Sequence, residues 1–116
     1  MKKWLQGLKC AIKGIKESII SQLNMKIHII IMLLVIIAGI FFQISQTEWF
    51  ICIILFGLVI GMEVMNTAVE AVVDRVTMEK DDMARRAKDA AAGAVLVVAI
   101  ASAVIGLWIF VPKLFC

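Results

Sequence analysis

An all-α integral membrane protein is the fold class that this sequence predicts, and three observations predict it. Of 116 residues, 63 % are hydrophobic and only 18 % charged, with a single proline. The mean hydropathy is +1.02, more apolar than a soluble domain of this size can hide. Three apolar runs, residues 27–44, 49–73 and 90–111, each approach the roughly 20 residues that a helix needs to cross a bilayer core. Unpaired backbone polar groups are prohibitive in lipid, so these runs must be helices.

Residues 1–22 follow a different pattern. Trp4, Leu5, Leu8, Ile12, Ile15 and Ile19 recur at helical spacing, with Lys2, Lys9, Lys13, Lys16 and Glu17 largely opposite. That pattern predicts an amphipathic helix lying in the membrane interface. A signal peptide is not expected, because the cations are dispersed among the apolar residues and no small-residue cleavage site follows a compact apolar core. The whole chain reads as one domain, and one copy carries too few helices to enclose a site, so an oligomer is expected.

The cations set the orientation. Six lie in residues 1–26 and five between Arg75 and Lys88, whereas the connection Ser45–Glu48 has none and the tail has only Lys113. The positive-inside rule then places the N-terminus and the 75–88 connection in the cytoplasm and the C-terminus outside. Phe41, Phe42, Trp49, Trp108 and Phe110 would gather at the outer interface. Cys10, Cys52 and Cys116 are odd in number and widely spaced, which supports neither a disulfide framework nor a metal motif. The net charge of +3 is modest, and no nucleic-acid partner is expected.

The second crossing ends in "EVMNTAVEAVVD", residues 63–74. Counting about 1.5 Å of rise per residue from Trp49, Glu63 lies roughly 21 Å into a ~30 Å core, and Glu70 reaches the cytoplasmic interface. Glu63, Asn66, Glu70 and Asp74 are spaced 3, 4 and 4, so all four project from one face of the helix. Polar groups at such depth are costly and usually functional. The alternative is that they hydrogen-bond between helices as structural glue.

The next segment, "TMEKDDMARRAKDAAAGAV" (77–95), starts a helix at Asp81 or Asp82 and carries Arg85, Arg86, Lys88 and Asp89 into a small-residue run. Small residues there let a neighbouring backbone approach closely. A cation cluster beside an acidic stripe is what phosphoryl transfer requires: carboxylates hold a divalent metal, Arg and Lys neutralise polyphosphate, and a buried acid serves as base. For the cation cluster alone, topology signal and attraction to anionic lipid would suffice. The competing class is a non-catalytic membrane scaffold or proton-relay subunit, which would not need Arg86, Lys88 and Asp89 beside the stripe.

These two blocks, "EVMNTAVEAVVD" and "RAKDAAAGAVL", together with "KGI" at 13–15 and "NMKIH" at 24–28, resemble the prokaryotic diacylglycerol kinase and undecaprenol kinase family over nearly the whole chain. The resemblance implies a homotrimeric lipid kinase with three membrane helices and one surface helix per protomer, ATP as co-substrate, Mg2+, and composite sites between protomers near the cytoplasmic interface. By position, Glu63 resembles the catalytic base and Asn66 its neighbour at the substrate end. Asn24, Lys26 and His28 resemble the lipid-entry region. Glu70 resembles the metal and nucleotide ligand, with Asp74 nearby. Lys88 and Asp89 match the nucleotide-binding pair, while Lys3, Glu79, Lys80, Asp81 and Arg86 fall on the phosphate and nucleoside side. Gln22 stands where the family usually has a second metal-binding Glu, Lys3 where an Arg is common, and Asp81 where a His or aromatic is frequent. "NMKIH" and "FQISQTEW" resemble the undecaprenol kinase branch more than the diacylglycerol branch, so undecaprenol is the favoured substrate.

Overall fold

The computed structural model describes residues 2–76 and 81–115, and these form four helices: α1 (Lys2–Ser21), α2 (Leu23–Phe42), α3 (Gln46–Val76) and α4 (Asp82–Leu114). The last three are each long and apolar enough to cross a membrane. All are longer than, or shifted from, the apolar runs in the sequence, and local capping chemistry accounts for the differences.

α1 and α2 are divided by one residue. Gln22 adopts an extended backbone (φ −110°, ψ 122°) without a side-chain cap, yet its N–H still donates to the Ser18 carbonyl at 3.1 Å. α1 therefore leaves α2 at a corner and packs on both α2 and α3. Its contact face is marked by Ser18, buried and donating its Oγ–H to the Gly14 carbonyl at 3.0 Å. Trp4, Leu5, Leu8, Ile12 and Ile15 stay exposed, the apolar stripe expected of a helix lying on a membrane.

α2 stops at Gln43, whose left-handed backbone (φ 52°, ψ 55°) lets the Ile44 N–H reach the Gly39 carbonyl at 3.1 Å. This closes the last turn in Schellman fashion. The connection expected at residues 45–48 is displaced: the turn is Gln43–Ser45, and Gln46–Glu48 already belong to α3. A capping box explains the shift. The Ser45 N–H donates to Glu48 Oε1 at 2.9 Å and the Glu48 N–H to Ser45 Oγ at 3.2 Å, satisfying two donors at the start of α3.

α4 begins with Asp81 as its cap, Oδ2 accepting the Ala84 N–H at 3.1 Å. The helix thus runs for more than two turns before the apolar stretch starts at Ala90. At the far end, Lys113 donates to Glu48 Oε2 at 2.8 Å and to the Ile109 carbonyl at 3.0 Å, fastening the end of α4 to the start of α3. The hydrogen bond from Lys113 holds the Glu48 carboxyl below its ordinary range, and Glu48 lies ahead of the apolar stretch that starts at Trp49.

The helices form a flat slab of 55 × 42 × 20 Å with α3 in the middle. Its small core, Ile44, Cys52 and Ile109, sits beside the Gln43 turn, with Phe42, Trp49 and Phe110 packed against it. The aromatic belt is accordingly split: Phe41 and Trp108 face outward, while Trp49 turns inward against Gly39. Most other large apolar side chains on α2, α3 and α4 are exposed, the arrangement of a protein whose solvent is lipid.

Candidate functional site

The polar stripe exists as one face of α3, and its two upper members are buried. Glu63 is 1 % exposed and Asn66 6 %. Helical spacing brings them together: Asn66 Nδ2 donates to Glu70 Oε1 at 3.3 Å, and Thr67 Oγ1 donates to the Glu63 carbonyl at 3.0 Å. Two acceptors are left over. Glu63 Oε1 and Asn66 Oδ1 are buried and have no hydrogen-bond partner. Such groups are rare in folded proteins and mark a place where a donor is awaited.

Glu63 Oε2 faces His28 on α2, with Nε2 3.7 Å away. Among the described residues, His28 is the one basic side chain in ion-pairing reach of Glu63. A lone histidine carried little information in the sequence, but the hairpin register contained the signal. Measured from the Gln43–Ser45 turn, His28 lies 15 residues before Gln43 and Glu63 18 residues after Ser45, so antiparallel helices bring them to similar depth.

His28 also lines a cavity of about 480 Å³ between α2, α3 and α4. Val35, Phe56, Val59, Ala103 and Phe110 are among its walls, and among the described residues Ser102 is the other polar side chain lining it. His28 marks the end of this groove nearest α1, one helical turn of α3 from Glu63. The volume falls within the range of ordinary small-ligand sites.

Lower on the stripe, Asp74 Oδ1 accepts from Lys88 Nζ at 2.8 Å across the α3–α4 connection. That hydrogen bond raises the Lys88 ammonium above the ordinary lysine range, at a position outside the apolar stretch of α4. Asp89 holds Arg85 Nη1 at 2.9 Å and Asp82 holds Arg85 Nη2 at 2.8 Å. Arg86 is exposed and pairs with no carboxylate among the described residues. Acidic stripe and basic cluster are therefore adjacent, joined by the Asp74–Lys88 bridge.

The other expected site residues lie around this pair of helices. Gln22 is half-buried in the α1–α2 corner, and Asn24 and Lys26 are exposed on the first turn of α2. Lys3 is exposed near the start of α1 and makes no salt bridge to the stripe carboxylates. Asp81 is engaged as the α4 cap. Glu79 and Lys80 lie outside the described residues.

A family model for prokaryotic diacylglycerol kinase matches residues 9–110. This chain belongs to that family. As a member it is a lipid kinase, and three curated relatives frame it. It is 42 % identical to an undecaprenol kinase of Bacillus subtilis over 88 % of this chain and 83 % of that protein. It is 33 % identical to a diacylglycerol kinase of Synechocystis over 95 % of this chain and 63 % of that protein. It is 29 % identical to the diacylglycerol kinase of Escherichia coli K12 over 79 % and 75 %. Both sequence blocks, and with them Glu63, Asn66, Glu70, Asp74, Lys88 and Asp89, fall inside the matched region of this lipid kinase.

Proposed function

We propose that this lipid kinase transfers the γ-phosphate of ATP to the hydroxyl of a membrane lipid alcohol, undecaprenol in preference to diacylglycerol. The observation that carries the reading is Glu63: buried, with Oε1 unpartnered, one helical turn beyond the end of an apolar groove. The groove suits the hydrocarbon tail, and the alcohol at its end meets the carboxylate. Oε1 takes the hydroxyl proton as the alcohol oxygen attacks the γ-phosphorus, the bond to the bridging oxygen breaks, and ADP leaves. The preference for undecaprenol rests on the higher identity to the Bacillus subtilis enzyme.

Asn66 offers a second buried, unpartnered acceptor one turn from Glu63, and Asn24 and Lys26 stand at the mouth by which the lipid headgroup enters. The nucleotide binds lower, at Lys88, Asp89, Arg86 and Asp74, and the family resemblance adds Lys3, Glu79, Lys80 and Asp81 to its phosphate and nucleoside side. Glu70 has one carboxylate oxygen engaged by Asn66 and the other available, and Gln22 adds a neutral amide oxygen. No cluster of three or more His, Cys, Asp or Glu suited to a metal exists among the described residues. That donor set fits Mg2+ arriving on the nucleotide, which uses one or two protein ligands with phosphate oxygens and water completing its shell. When bound, the ion would neutralise charge on the transferring phosphate.

The distribution of cations supports a cytoplasmic N-terminus and active site in the bacterial inner membrane; a homotrimer with composite sites is carried over from the family resemblance alone. The test gives purified protein in bilayers labelled ATP with undecaprenol and diacylglycerol in parallel. Label in the prenol above label in the glyceride is expected. Label in neither, from folded protein, overturns the reading in favour of a scaffold or proton-relay subunit.

A further inference from the structure

The two oxygens of Glu63 are unequal. Oε2 faces the His28 imidazole at 3.7 Å, while Oε1 is buried with no partner. From this asymmetry we infer that His28 is a positioning residue: it holds one oxygen of Glu63 and thereby presents the other to the lipid alcohol. The inference rests on the kinase reading for its purpose, but the contact itself does not.

The surroundings leave this task to His28. Lys26, two residues earlier on α2, is exposed and out of ion-pairing range of Glu63, as are Lys13 and Lys16 on α1. On α3, Glu70 is engaged by Asn66, and on α4 the groove offers only Ser102. Thr67 and Asn66 make their hydrogen bonds to the Glu63 backbone and to Glu70, so neither restrains the Glu63 carboxylate. Among the described residues His28 is the one side chain within ion-pairing distance of the buried Glu63 carboxylate, so it bears most directly on how that carboxylate is oriented. A carboxylate misaligned by even a small angle loses much of its effect as a base, because proton transfer requires hydrogen-bond geometry. His28 further lies at the end of the groove.

The chain contains one histidine, so its imidazole nitrogens give unambiguous NMR signals. In full-length protein labelled with 15N-histidine and reconstituted in bilayers, Glu63→Gln is expected to move the Nε2 resonance at fixed pH. Superimposable spectra overturn the inference. Kinetics supply the second arm. His28→Ala is expected to lower kcat by about 10²-fold, the lower range for proton-transfer catalysis, with KM for lipid and ATP unchanged. His28→Gln, which keeps a donor at similar reach, is expected to recover part of that loss. A raised lipid KM with kcat intact in both variants overturns the inference, since His28 would then contact the lipid rather than act through Glu63. If the unsubstituted protein phosphorylates no lipid, the kinase reading fails, and the spectra still decide whether the pair exists.

Discussion

Glu63 is predicted to set activity and stability against each other. Its unpartnered Oε1 at 1 % exposure is a buried acceptor without a donor, which costs about 1–3 kcal/mol of folding stability. Its contact with His28, at 3.7 Å and with the imidazole 19 % exposed, returns at most about 1 kcal/mol. Replacing Glu63 with Leu, of similar breadth and without polar atoms, is therefore expected to raise stability by about 1–2 kcal/mol. The same position as base is worth about 10²–10⁴ in rate, or roughly 3–5 kcal/mol of barrier, so both Glu63→Leu and Glu63→Gln should abolish measurable phosphoryl transfer. The assays are denaturant unfolding of purified protein in mixed micelles and lipid phosphorylation from labelled ATP. A Leu variant that is inactive and also less stable would refute the reasoning, because Glu63 would then be holding helices together. An active Gln variant would remove it from the role of base.

Three further outcomes are expected. A Cβ on Gly39 would sit 2.7 and 2.9 Å from the Trp49 ring and 3.1 Å from Ile44 Cδ1, so Gly39→Ala should destabilise by about 1–2 kcal/mol despite its helix propensity, and unchanged unfolding would show that the ring yields. Gln22→Glu should lower the magnesium concentration needed for half-maximal activity, and an unchanged titration would dissociate position 22 from the metal. Lys113 lowers the Glu48 carboxyl below its usual value near 4.5, so the pair contributes stability above that pH and loses it as pH falls through the lowered value in the folded protein. Acid unfolding should accordingly begin at higher pH in Lys113→Met, measured by helical circular dichroism, and identical acid transitions would discount the ion pair.

Much of this was legible in the sequence because the bilayer imposes it. Length and hydropathy announced the three crossings, and a spacing of 3, 4 and 4 put Glu63, Asn66, Glu70 and Asp74 on one face, since helical period alone decides that. Helix ends were less legible. Ser45 and Glu48 form a capping box, yet both lie in a segment whose polarity resembles a loop, so α3 starts three residues before the apolar run. Contacts between helices were least so. His28 with Glu63, Lys88 with Asp74 and Lys113 with Glu48 each join residues on different helices, and their pairing depends on register and rotation that hydropathy does not encode. Residue type gave no sign that the Trp49 ring would turn inward against Gly39, which has no side chain to oppose it.

α3 is a single uninterrupted helix of 31 residues, about 46 Å from end to end. Glu63 and Glu70, seven residues apart, are thus mounted some 10 Å from one another on one continuous helix. Soluble enzymes commonly join two reactants by swinging a lid or closing two lobes. Here the spacing between the two stations is a constant of the backbone, and any approach has to be made by the molecules that visit them.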